Sequence, residues 1–200
     1  MSNAKSARSS KRFGAGKPTA IKEPRRQAYA QGGLDGLCGV YATVNAVQHL
    51  RGKALSEEPA IELFKHLVGA ISKKFPDVLW EGTGMPEVRA ILDRADAWAR
   101  KHYGFGLERS EPLLRQAPKR DDLYWERLGE LLDTPDRVLI VGLKEPWEHW
   151  SVLTNVTPRT LKFSDSLSIK IARRGDFSIR KGATYQIDPH QVFLLRRVPL

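Results

Sequence analysis

The chain of 200 residues holds one cysteine, Cys38, and two methionines. A single thiol cannot close an internal disulfide, so nothing points to an oxidising compartment. No apolar run approaches the roughly 20 residues that span a bilayer, and the N-terminus lacks the continuous apolar segment of a secretory signal. A soluble chain, cytoplasmic where it is made, is the expectation. His49, His66, His102 and His190 stand apart from one another and from Cys38 without a zinc spacing, so no metal is expected. Gly14-Ala-Gly16-Lys17-Pro18 is short and leads into proline rather than a helix, so it makes no phosphate loop, and no cofactor is expected. There is no internal repeat.

Positive charge is in excess, +10 in all. Residues 1–27 carry Lys5, Arg8, Lys11, Arg12, Lys17, Lys22, Arg25 and Arg26 against Glu23, which is +7 of that total and leaves +3 on the remainder. This opening segment is rich in Ser, Gly, Ala and Lys/Arg and has too few large apolar residues to offset the cost of ordering its backbone. It reads as a disordered basic tail before one domain over 28–200. Such a tail fits a solvated appendage, a weak contact with nucleic acid or an anionic surface, or an export signal without a classical signal peptide, as in a secreted bacterial effector.

After the tail, Gln31 to Leu37 is a loop with three glycines. Val40, Tyr41, Val44, Val47 and Leu50 then recur at helical spacing, which predicts a helix from Cys38 that stops at Gly52. Ser56-Glu57-Glu58-Pro59 opens a second helix with Ile61, Phe64, Val68 and Ile71 on one face, running to Lys74 before Pro76. Thr83-Gly84-Met85-Pro86 opens a third, with Val88, Ile91, Leu92, Ala95, Trp98 and Ala99 inward. Leu107 to Leu114 reads as a short strand, and Asp121 to Leu132 as a helix burying Leu123, Leu128, Leu131 and Leu132. Beyond Pro135, β-branched or alternating runs at 137–143, 149–156, 160–164, 168–172 and 191–195 predict strands. Helices followed by strands describe an α+β protein, a helical layer on an antiparallel sheet.

Cys38 falls where the glycine loop meets the first helix. Unpaired backbone N–H groups and a partial positive charge there stabilise a thiolate, and Gly39 leaves room for a substrate to approach. Position alone still describes an inert core thiol as well as a nucleophile. A second piece runs from His149 to Asp165, two strands around Thr157-Pro158. A three-residue loop, Val156 to Pro158, pairs His149 directly with Asp165, close enough for the carboxylate to hold the imidazole in one tautomer. Asn45 reads as a packing or hydrogen-bonding residue, and Trp147 as core or as a wall of the cleft.

Gln31, Cys38-Gly39-Val40-Tyr41-Ala42, His149-Trp150-Ser151-Val152-Leu153 and Asp165, in that order, resemble a papain-fold cysteine peptidase, closest to the C39-like branch that includes bacteriocin-leader peptidases. The resemblance implies a papain-like fold in which Cys38 starts the central helix as nucleophile. It makes His149 the general base and acid, Asp165 its orienting partner and Gln31 a donor to the oxyanion. Gln31 stands seven positions before Cys38, one more than is usual in that family.

The expected activity is therefore hydrolysis of a peptide or isopeptide bond in a protein or peptide substrate, through an acyl-enzyme. Two other readings are open from the same residues. One is a glutamine deamidase or transglutaminase-like effector on the same fold. The other is a catalytically silent module that binds protein or nucleic acid.

Overall fold

The computed structural model describes residues 28–31 and 35–200. The expected disordered tail, 1–27, lies outside the described residues, as do Gly32, Gly33 and Leu34. The first helix, α1, runs Cys38–Arg51 and buries Val40, Val44, Val47 and Leu50 as their spacing predicts. Each such aliphatic side chain contributes about 1.5–3 kcal/mol on full burial. Gly52 closes it at φ 82°, a left-handed conformation that costs glycine nothing.

The second helix, α2 (Glu57–Val68), does not reach Lys74 in one piece; Gly69–Lys74 tightens into a 3-10 turn. Ser56 occupies the cap position, yet its hydroxyl makes no cap bond. The single turn α3 (Val78–Glu81) is too short to carry a readable period. Helix α4 (Met85–Tyr103) has Pro86 in its first turn and buries Val88, Ile91, Leu92, Ala95 and Ala99, with Trp98 half-buried. The expected strand at 107–114 is β1, Phe105–Ser110. In α5 (Asp121–Leu131), Tyr124 and Trp125 take the inner face with Leu128 and Leu131, while Leu123 is 45% exposed. The leucine spacing mis-set that face because two adjacent aromatics offer more area to bury.

Strands β2 (Arg137–Leu143), β3 (His149–Val156) and β4 (Thr160–Ser164) stand where the sequence pattern puts them. Strand β5 is Ile171–Arg173, β6 is the two-residue Phe177–Ser178, and β7 extends over Tyr185–Pro199, far beyond 191–195. The order is β1-β7-β2-β3-β4-β5, antiparallel throughout, with β6 added parallel to β7. The fold is the expected α+β arrangement.

The sheet is covered on both faces. Val138, Ile140, Trp150, Val152, Phe193 and Leu195 pack with α1, α2 and α4. Leu139, Val141, Leu143, Leu153, Leu161 and Phe163 pack with α5 through Tyr124, Trp125 and Leu128. Burial on both sides explains the unbroken apolar run of β2, where alternation would mark a half-exposed strand.

Candidate active site

Cys38 opens α1, and its thiol is buried, with 6% of the residue exposed. Leu37 at the cap makes no side-chain bond to the helix. Asp35 instead accepts Leu37 N–H at 3.0 Å and fixes the turn into the helix. Among the described residues no acceptor meets the Cys38 N–H, so this donor remains available beside the sulfur. Gly39 does not open space for a substrate. A Cβ there would stand 2.6 Å from Thr83 Oγ1 and 2.9 Å from Val88 Cγ2, so the glycine lets the start of α1 close on the loop before α4.

His149 opens β3 and Asp165 follows the end of β4; both are 5% exposed. His149 Nε2 lies 2.9 Å from Asp165 Oδ2. The pair meets by a different register from the one expected. Val152 stands opposite Ser164 and Leu153 opposite Phe163, two positions from direct opposition of His149 and Asp165. At the tip, Asn155 opposes Lys162 and Val156 opposes Leu161, an odd offset that would turn the two side chains to opposite faces. The extra residue of a β-bulge at Thr154 restores the parity. His149 and Asp165 thus meet diagonally on one face.

Asp165 Oδ1 accepts the N–H groups of Leu167 at 2.7 Å and Ile169 at 3.3 Å, so the carboxylate is anchored by its own turn. Glu148 (φ 40°) and Ser168 (φ 69°) hold left-handed backbone on either flank of the pair, conformations that non-glycine residues adopt at a cost.

Burial alone would raise the Cys38 thiol, but the bond from His149, the Trp150 N–H, the Thr83 hydroxyl and the charge of His149 outweigh it, and its pKa falls below the ordinary thiol value. Burial likewise opposes a charged His149. The bonds to Asp165 and Cys38 and the charges of both overcome this and raise the imidazole to about 9. Burial pushes Asp165 up, and His149, the Ser151 hydroxyl and the Leu167 N–H together outweigh it and hold the carboxyl below its ordinary value. All three directions favour the charged forms, thiolate, imidazolium and carboxylate. Nε2 faces Asp165, which leaves Nδ1 for the sulfur.

Gln31 is drawn into the same region, with its amide engaged by Asp35. Its backbone N–H donates to Ser166 O at 3.1 Å, while its amide Nε2 bonds the Asp35 carbonyl and Asp35 Oδ1, the latter at 3.2 Å. Asn45 takes the structural part expected of it, accepting Tyr29 N–H at 2.8 Å and donating to Tyr29 O at 3.3 Å, two residues before Gln31. Trp147 stacks on Tyr185 and Phe177 in the α5-side core.

Thr83 is the residue that sequence reasoning passed over. Its Oγ1 accepts Gly39 N–H at 3.1 Å and lies 3.6 Å from Cys38 Sγ, while its carbonyl accepts the Trp150 indole N–H at 2.6 Å. It thereby ties the thiol's helix to the histidine's strand. In the sequence it shows only as the residue before a helix start, because nothing local signals a partner 45 positions away. Among the described residues no group of three or more His, Cys, Asp or Glu could hold a metal ion, and no helix is long and apolar enough to cross a membrane.

No protein-family model matches the chain, and no curated protein matches it significantly. Among solved structures it is similar to the peptidase domain of Streptococcus ComA, a bi-functional ABC transporter involved in a quorum-sensing pathway. The similarity covers 87% of this chain and 98% of that one, at 15% sequence identity and a TM-score of 0.47.

Proposed function

We propose that the protein is a papain-like cysteine hydrolase that cleaves a peptide or isopeptide bond. The observation that carries this reading is the buried His149–Asp165 pair at 2.9 Å, whose imidazole lowers the pKa of a thiol at a helix N-terminus. Cys38, as thiolate, attacks the carbonyl carbon, and a C–S bond forms as the carbonyl electrons move onto oxygen. The free Cys38 N–H supports that oxyanion, a type of contact worth about 3 kcal/mol per donor. Gln31 supplies a second donor once its amide leaves Asp35. His149 gives its proton to the leaving amine as the C–N bond breaks, then removes a proton from the water that resolves the acyl-enzyme. Asp165 holds the ring in the tautomer both steps need.

The amine departs only if His149 is protonated, so hydrolysis falls as pH rises through about 9. Incubation with candidate polypeptides tests the reading by mass spectrometry. New chain termini that disappear in Cys38→Ala support it. A mass gain of about one dalton without new termini would instead indicate glutamine deamidation at the same site.

A further inference from the structure

Five cations, Arg159, Lys162, Lys170, Arg173 and Arg174, fall on β4, β5 and their ends. They share one ladder. Thr160 pairs with Arg173 and Lys162 with Ile171. The Lys170 carbonyl accepts Phe163 N–H at 2.8 Å, and the Arg159 carbonyl accepts Arg174 N–H at 2.9 Å. Between Glu148 and Asp176 the only acid is Asp165, which is buried against His149 and does not face solvent with them. Among the described residues none of the five is in an ion pair. These five cations alone carry +5, against a net +3 over residues 28–200.

Lys162, Ile171 and Arg173 lie on the face opposite Leu161 and Phe163, exposed, with Ile171 at 69%. Strand β5 ends the sheet order, so among the described residues one side of its backbone has no partner strand. Charge on an edge strand guards against aggregation, but that need is met on β5 itself. It leaves Arg159 and Lys162, one strand further in, unexplained.

We propose that this strip docks an extended, Asp/Glu-rich segment of the protein substrate along β5, held by backbone pairing and by the cations. The proposal rests on reading the chain as a peptidase. A peptide fits better than a nucleic acid because the strip offers a strand edge and an aliphatic side chain, with no aromatic on which a base could stack. The rung at Lys170 and Phe163 is two residues from Asp165, about 7 Å along the strand. The docked segment thus lies a few residues from the bond presented to Cys38.

The test compares the full chain with its Lys162→Glu/Arg173→Glu variant. Binding of a labelled oligo-glutamate peptide and of a labelled single-stranded oligonucleotide is followed by fluorescence anisotropy at two salt concentrations, with the Cys38 alkylation rate as a check on the site. The proposal expects oligo-glutamate binding to weaken at least about tenfold in the variant and in higher salt, with alkylation unchanged. Undiminished binding in the variant overturns it and assigns the affinity to residues 1–27. Tighter binding of the oligonucleotide than of oligo-glutamate, lost in the variant, overturns it in favour of a nucleic-acid surface. If Cys38 proves inert while oligo-glutamate binding is still lost in the variant, the docking strip stands and the peptidase reading fails.

Discussion

Thr83 shows how a single hydroxyl can serve a site without touching a substrate. It satisfies Gly39 N–H, lies against the thiol and, through its carbonyl, holds Trp150 beside His149. Thr83→Val keeps the shape and removes the hydroxyl, leaving a buried N–H without an acceptor at a cost of about 1–3 kcal/mol. Cys38 alkylation at about pH 6 should slow in that variant as its thiol pKa rises, while Thr83→Ser should restore the rate. If Val and Ser variants alkylate alike, Thr83 only fills space. The places of Cys38, His149 and Asp165 at element ends were legible because a local pattern marks each end. Thr83 was not legible, since its partners come from two other elements. The side chain of Gln31 was not legible either, because Asp35, four residues on, competes for its amide.

At the scale of elements, the apolar spacing of α1 predicted both its ends and its buried face, because helix period and glycine termination are local. The hairpin was legible as a hairpin, but its register was not. The loop starts one residue later than expected and a bulge shifts the register again, and their combination returns His149 and Asp165 to one face. Gly39 was misread for a related reason: the space beside it is occupied by another element. Gly39→Ala therefore tests the packing of α1 on the loop before α4. The added methyl has no room against Thr83 and Val88, and overpacking of this kind costs about 1–3 kcal/mol, measurable as a lower urea midpoint. An unchanged midpoint would show that the loop yields freely.

Across the whole molecule, helices before strands gave the class, whereas the second covered face of the sheet was hidden because α5 buries aromatics that its leucine spacing did not signal. The buried site also couples to global stability. His149 has a raised pKa, so its contribution is complete below 6.5 and is lost as pH rises through about 9. Cys38 has a lowered pKa, so its contribution is complete above the ordinary thiol value of about 8.5 and is lost as pH falls through the folded value. The two slopes have opposite signs and oppose each other where their windows overlap, between roughly 6.5 and 8.5. In Cys38→Ala only the histidine slope remains. The difference in unfolding free energy between the two proteins should therefore change across that window by up to about 1.4 kcal/mol per pH unit. A pH-independent difference would mean that the thiol and the imidazole do not share charge.

The central claim, that Cys38 is a nucleophile made reactive by His149, is tested most directly by the pH profile of Cys38 alkylation with iodoacetamide in the protein and in His149→Ala. The account predicts a thiol that remains reactive down to about pH 6 in the protein and follows an ordinary thiol, with a midpoint near 8.5, in the variant. The same ordinary profile in both would contradict it.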